Sequence, residues 1–452
     1  MNISRQKLSG LIIILVTSIT AGAQDTAVIK HHEFSVQAAV DYAKKNNMQV
    51  KNALLDVQVQ KEVNREITSA AYPQVNGSFS LVYNIKLPVS LVPAEFFGGT
   101  PGTYEKFPFG VKYNATGGIE LNQLLFDGQV FVGLQARKTS IDFQLKNVEV
   151  TEELIKTNIY KIYYQLIVSS TQTELIDANI LRLEKLLHDT KEIYKNGFAE
   201  KLDVDRVTVQ LSNLQTEKVK ALNAIQNGYL GLKLLMGMPI RDELVLTDTL
   251  SYDELRDELL IQTTPYNYND RKEFQYAELG RKLNEFNIKR YRLSRIPTFS
   301  LNAFYNKNAQ RNEFDFFKSG GDWFSIAAVS VRLSVPIFNG FSTKAKIAQA
   351  QLALQQTVNR IDDLKLTIDN EVEIAKSNYR SAIVTLENQK RNIDLAEQIY
   401  NQTKKKYEAG LGSNIEITAA QTELKTAQTN YVTAMYDAVI ARVDFLKATG
   451  KL

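Results

Sequence analysis

The sequence predicts a mixed fold: a membrane β-barrel joined to a long α-helical coiled-coil barrel, laid down as two internal repeats, with three chains completing a twelve-stranded barrel. Three observations predict it. First, Phe126-Asp127-Gly128 returns as Phe338-Asn339-Gly340, Tyr194-x-x-Gly197 as Tyr407-x-x-Gly410 and Gly237 as Gly450, at an offset of 212 or 213 residues. A period this long means two copies of one unit rather than a solenoid. Second, the nine prolines leave 109–238 and everything after 336 empty, and an interior proline breaks a helix. Third, four segments alternate apolar and polar residues at period two over about ten residues, the length of a membrane-spanning β-strand.

Residues 1–23 read as a secretory signal peptide. Arg5 and Lys7 precede the apolar run from Leu11, and Ala21-Gly22-Ala23 supplies the small-residue cleavage site. A membrane anchor is the competing reading, but the run is about half of what a hydrocarbon core needs. No later stretch is apolar enough for a transmembrane helix, so strands must hold any membrane. The formal charge is +4 for all 452 residues, two of those cations being Arg5 and Lys7. So small and dispersed an excess makes no case for nucleic acid. The chain has no cysteine, which removes disulfides, thiolate metal sites and a lipid-modified cysteine.

The first repeat, 24–237, begins with a helical stretch, 34–72. A hairpin over 73–126 follows. In its first strand Val75, Phe79, Leu81, Tyr83 and Ile85 oppose Asn76, Ser78, Ser80 and Asn84; in its second, Tyr113, Ala115, Ile119 and Leu121 oppose Asn114, Thr116, Glu120 and Asn122. A soluble sheet with one buried face alternates in the same way. Export, pairing in hairpins and the aromatic flanks Phe96, Phe97, Phe107 and Phe109 favour lipid. Next come the helices of 128–237, where Ile141, Leu145, Val148, Ile155, Ile159, Ile162 and Leu166 step by three, four or seven. Such steps mark a coiled-coil seam. The span 134–196 lacks Gly and Pro, and as one helix it would be about 100 Å long at 1.5 Å per residue.

A connecting segment, 238–265, alternates weakly and then turns helical. The second repeat, 266–452, repeats the order: helix 266–296, hairpin 297–338, helices 340–450. Its strands set Phe299, Leu301, Ala303 and Tyr305 against Thr298, Ser300, Asn302 and Asn306, then Ala327, Val329, Val331, Leu333 and Val335 against Ser330, Arg332 and Ser334. Phe314, Phe316, Phe317, Trp323 and Phe324 flank its loop. Its seam is Leu354, Val358, Ile361, Ile368, Val372, Ala375, Tyr379, Ala382 and Leu386. Four strands cannot close a barrel, and an open edge in lipid leaves backbone groups unsatisfied. Two chains would give eight strands and three would give twelve. An eight-stranded interior fills with side chains while a larger barrel can hold a channel, so a homotrimer is expected.

The ordered set of these features resembles the TolC family of outer-membrane efflux proteins over essentially the whole mature chain. The residues that carry the resemblance are Ala71-Tyr72-Pro73, Arg295-Ile296-Pro297, the turn Val335-Pro336-Ile337-Phe338-Asn339-Gly340, and Tyr407-x-x-Gly410-x-x-Ser413-x-x-Glu416 followed by Ala419-Ala420-Gln421-Thr422-Glu423-Leu424. The resemblance implies a trimeric duct set in the outer-membrane lipid, with its helical portion in the periplasm. That duct would be the passive exit of a tripartite efflux pump for drugs, small toxic solutes or metals. Its implied partners are a periplasmic adaptor (membrane fusion) protein and an inner-membrane transporter. Exit of a type I protein secretion system is the alternative within transport, and a periplasmic coiled-coil scaffold or adaptor is the alternative outside it.

In the family the inner end is closed by turns between paired helices. By position, Asp203 and Tyr407 match a contact between repeats, and Glu416 matches an acidic ring at the pore. Gly412 stands where a well-known member has an arginine, and Ala419 where it has an aspartate. The same acids also suit helix starts on their own account.

No catalytic or cofactor motif competes. His31-His32 and His188 read as solvated surface histidines rather than metal ligands. Glu152-Glu153 and Asp362-Asp363 sit in helical runs where exposure is the default. No Gly-rich phosphate loop, H-E-x-x-H or G-x-S-x-G occurs. The expectation is a protein without enzymatic activity, metal or cofactor.

Overall fold

The computed structural model describes residues 30–250 and 265–452. The expected signal peptide, 1–23, and residues 251–264 of the expected connecting segment lie outside them. The described chain divides into two compact units, one of 47–158, 265–398 and 433–452 and the other of 30–46, 159–250 and 399–432. No described helix is long and apolar enough to cross a membrane.

The strand-bearing unit holds one four-stranded antiparallel sheet, with β2 (Gln74–Tyr83), β5 (Tyr113–Phe126), β7 (Thr298–Arg311) and β8 (Phe324–Ser334) in that spatial order. Register carries the alternation across the strands. Val75, Leu121, Ala303 and Val329 form one apolar row, while Gln74, Asn122, Asn302 and Ser330 form a polar row on the opposite face. Every residue of β2 and β8 is exposed, leaving these two strands as open edges. At Gly118 of β5 a Cβ would lie 2.7 Å from Asn306 Cα and press still harder on the Tyr305 carbonyl. Only glycine allows β5 and β7 to approach there.

The long loop after β2 is not irregular. It folds into a second, two-stranded hairpin, β3 (Val89–Pro93) with β4 (Tyr104–Pro108), closed by a short 3-10 turn at Ala94–Phe97. The prolines and paired glycines masked this, because Val89 and Leu91 alternate over too few residues to stand out.

Helices continue from the strands. In α2 (Met48–Ser69), Asn47 caps the start by accepting from the Gln49 and Val50 amides at 2.7 and 3.3 Å. That cap divides the expected helix 34–72 in two. α3 (Gly128–Lys195) has 68 residues and α6 (Ser342–Glu408) has 67. α5 (Lys272–Leu293) and the end of α7 (Asn414–Ala448) pack on α6 around Ile361, Ile368, Val372, Ala375 and Tyr379, with Phe274, Ala441 and Phe445 against them. Of the expected first seam, Leu145 is instead 43% exposed.

Arg271 ties the same unit together at the start of α5. Only 3% exposed, it donates to the Ala448 carbonyl at 3.1 Å, to Glu371 at 2.9 Å and to Glu273 at 3.1 Å. Burial works against the Glu273 carboxylate, yet Arg271 holds it below its ordinary value. Among the described residues, nearby Glu153 has no such partner. Burial, and then the charge of Glu273, push its carboxyl above the usual range. A raised carboxyl contributes stability that is complete below its unfolded pKa and is lost as pH rises through its folded one. Glu153→Gln, which fixes the neutral form, is therefore expected to be more stable than the native chain at neutral pH and to match it near about pH 4. Thermal unfolding followed by helical circular dichroism at both pH values checks this.

The second unit is anchored at the N-terminal side. β1 (His31–Phe34) pairs in parallel with β6 (Glu243–Leu246), and α1 (Val36–Asn46) follows with its first amide bonded to Asp248 Oδ2 at 2.8 Å. The adjacent histidines differ from expectation in one respect. His31 is exposed, and its Glu243 hydrogen bond raises its pKa. His32 is not a solvated residue: its side chain is 20% exposed, 3.4 Å from Asp242 and packed beside Phe34 and Tyr42. Tyr163 of α3 is fully buried beneath the pair of strands. Its hydroxyl donates to the Phe34 carbonyl at 2.8 Å and accepts from the Asp248 amide at 3.1 Å. Burial raises its pKa to about 12. Tyr163→Phe leaves both backbone groups without that partner and is expected to cost about 1–3 kcal/mol. Faster amide exchange at Asp248 in hydrogen-exchange mass spectrometry would register the loss.

Candidate aperture at the paired helical turns

Two turns of one design lie in the second unit. α3 passes through Gly197 into α4 (Lys201–Met236), and α6 passes through Gly410 into α7. Both glycines take left-handed backbone, φ 77° and 73°. In the first turn the Gly197 amide bonds the Tyr194 carbonyl and the Phe198 amide bonds that of Ile193; in the second, Gly410 bonds Tyr407 and Leu411 bonds Lys406. This double closure satisfies helix-end carbonyls that would otherwise be orphaned, and a side chain at the glycine would strain it. The repeated Tyr-x-x-Gly is the sequence of that cap. Beyond each glycine the chain exposes apolar side chains: Phe198 (86%) and Leu202 on one turn, Leu411 (78%) and Ile415 on the other.

The three residues singled out from sequence sit at these turns with partners of their own. Asp203 caps α4, its Oδ2 accepting from the Glu200 amide at 3.2 Å. The Tyr407 hydroxyl is 3.1 Å from Thr190 Oγ1, whose residue is fully buried. Within one chain, then, Tyr407 and Asp203 take separate partners rather than each other. The Glu416 amide bonds Ser413 Oγ at 3.2 Å, and its exposed carboxylate lies 3.5 Å from Lys406. That lysine partly offsets the acid's field at the turn. At Gly412 an added Cβ would lie 3.2 Å from the Tyr407 amide nitrogen, so the close turn leaves little room for a larger residue. Ala419 lines an open groove of 630 Å³ with Arg206, Ile415, Thr418, Thr422 and Glu423.

Behind the turns is a buried amide cluster that sequence reasoning did not single out. Asn179 of α3 donates to Gln428 Oε1 at 2.6 Å and accepts from Gln421 Nε2 at 2.9 Å; all three residues are at most 6% exposed. Arg182 adds a further donor to Asn179 at 3.0 Å. The signal was present: Ile176-Asn179-Leu183 and Ile417-Gln421-Leu424-Gln428 step by three and four, which puts amides on the seam. Among the described residues, no three His, Asp or Glu side chains converge as metal ligands.

Known proteins resemble this chain in sequence and fold. Residues 268–451 match the family model described as outer membrane efflux protein. The chain is 24% identical over 436 residues to the outer membrane efflux protein BepC of Brucella suis, covering 92% of this chain and 86% of that one. It is 20% identical over 339 residues to the outer membrane protein TolC of Vibrio cholerae, covering 74% and 76%. Over most of its length the chain is similar to TolC-like outer-membrane efflux proteins. A solved structure of CusC overlays with a TM-score of 0.74 at 17% identity, covering 92% of each chain, and so carries the fold. The alkaline protease secretion protein AprF of Pseudomonas aeruginosa is also similar, 19% identical over 329 residues, covering 72% of this chain and 67% of that one. These relatives are described as outer-membrane and efflux proteins, which favours the outer-membrane reading over a periplasmic scaffold.

Proposed function

We propose that the chain is the passive exit duct of a tripartite efflux pump, working as a homotrimer with a periplasmic adaptor and an inner-membrane transporter. The observation that carries this is the union, in one chain, of a four-stranded sheet open at both edges with helices of 68 and 67 residues. An open sheet edge in lipid leaves amides and carbonyls without partners, and closure by identical edges of neighbouring chains supplies them. Three chains would make twelve strands, with each of the two repeats giving one hairpin and its long helices and the 238–265 segment joining them. Drugs, small toxic solutes or metals are the cargo class. A type I secretion exit is the second reading, favoured by the likeness to a protease secretion protein.

Electron microscopy of detergent-extracted protein tests the duct. A threefold particle with a helical rod below the detergent belt is expected; a soluble rod without a belt would defeat the proposal. Asp203, Tyr407 and Glu416 would lie at the periplasmic mouth, with the two exposed apolar turns facing the adaptor. There Glu416 would favour cations, since a narrow mouth focuses the field of converging carboxylates. In planar bilayers Glu416→Gln is expected to lower cation selectivity, and Lys406→Gln to raise it by unmasking the acid. Unchanged reversal potentials in both variants would remove Glu416 from the pore.

A further inference from the structure

One face of the hairpin of β3 and β4 is aromatic and half exposed among the described residues. Phe97 stacks on Phe107 with ring centres 5.2 Å apart, Phe107 meets Phe109 at 5.1 Å, and the three rings remain 54%, 41% and 52% exposed. An isolated two-stranded hairpin is marginal in water, and a contiguous apolar patch marks a contact surface. A second exposed aromatic, Phe317, lies in the loop between β7 and β8, its ring edge-on to Phe314 at 6.1 Å. Phe314 and Phe316 rest on Tyr113 at 5.8 and 6.5 Å, which holds that loop over the end of the sheet. Phe317 beside them is 91% exposed.

Topology places the two features at the same rim on opposite edges. β2 ends at Tyr83, paired with Tyr113; Tyr113 pairs with Arg311; β8 begins at Phe324, paired with Asn308. The β3–β4 hairpin therefore springs from the end of one open edge strand, and the Phe317 loop leads into the start of the other. A head-to-tail contact between copies joins unlike edges. It would bring β8 of one copy beside β2 of the next, about 5 Å away in a sheet. Net charges are opposite but small: Lys86, Lys106 and Lys112 against Glu95 and Glu105 leave +1 on the hairpin segment, and Glu313, Asp315 and Asp322 against Arg311 and Lys318 leave −1 on the loop.

We propose that the Phe97–Phe107–Phe109 face of the hairpin packs against the Phe317 loop of the neighbouring copy, clasping each seam between chains outside the membrane. The proposal rests on the trimeric barrel proposed above. It adds a contact beyond the strands themselves, with a second copy of this chain as the partner.

The absence of native cysteine makes disulfide trapping a clean test. The double variant Phe97→Cys with Phe317→Cys, oxidised in the native membrane, is expected to give two- and three-chain bands on a non-reducing denaturing gel. Each single variant should give only the one-chain band. A threefold particle by electron microscopy whose double variant gives one-chain bands alone, of normal or altered mobility, overturns the clasp and leaves the barrel standing. A particle without threefold symmetry overturns both. A substitution pair that introduces no thiol reads the same contact. Phe107→Ser and Phe317→Ser should each lower the temperature at which the trimer dissociates, and together lower it no more than the larger single effect. Additive shifts would show that the two rings never meet.

Discussion

Replacing Arg271 with methionine is expected to lower the stability of the strand-bearing unit by about 3 kcal/mol, the low end for breaking a buried ion pair. The guanidinium is 4% exposed as a side chain, against 32% for Glu273 and 44% for Glu371. Its loss strands one buried carbonyl, that of Ala448, and two acids that have already given up part of their hydration. Both acids stay partly wet, which keeps the cost from rising further. Glu371→Gln should lose much less, about 1 kcal/mol, because its partner keeps two other acceptors. Thermal unfolding of the detergent-solubilised protein measures both. Equal, small effects would show that the junction of α5, α6 and α7 is held by Phe274 and Phe445 alone.

Gly118→Ala is the second large effect. The new methyl meets the Tyr305 carbonyl and Asn306 Cα, backbone atoms that cannot rotate away. Overpacking against backbone is expected to cost about 3 kcal/mol or more. In practice β5 and β7 must separate or lose register, and the amount of assembled protein in the outer membrane should fall about tenfold or more. Gly77 on β2 is the internal control. Its added Cβ would find the Gly118 carbonyl at 3.9 Å, ordinary contact, so Gly77→Ala should assemble normally. Failure of both variants alike would point to chain flexibility rather than to the close approach.

These two sites mark the limit of what the sequence made legible. Period-two alternation located β2 and β8 closely, at 74–85 against Gln74–Tyr83 and 323–335 against Phe324–Ser334. It stopped short on β5 and β7, which run on to Phe126 and Arg311. Lys307, Asn308 and Gln310 break the alternation, and their ladder partners on β5, with β8 also pairing Lys307 and Asn308, keep them in strand. The seam of α6 was readable because Ile361, Ile368, Val372 and Tyr379 repeat at helical spacing and are buried. Arg271 was not, since an arginine before a helix reads as solvated until Glu371, 100 residues away, is brought beside it. The paired helical turns show the same division. Tyr-x-x-Gly announces its turn locally, whereas Thr190 under Tyr407 and Lys406 beside Glu416 are partners of the fold.

The buried amides behind the turns constrain how α3 and α7 can move. Gln421 and Gln428 are one heptad apart and both spend their hydrogen bonds on Asn179. Sliding α7 along α3 by any other step would leave Gln421 and Gln428 without Asn179 in an apolar seam, while Asn179 would keep only its α3 partners, the Leu175 carbonyl and Arg182. A slide of one full heptad, about 10 Å at 1.5 Å per residue, would still forfeit one of the two bonds. The cluster therefore fixes the register of α7 on α3 behind the second turn, as a two-point latch rather than a rail.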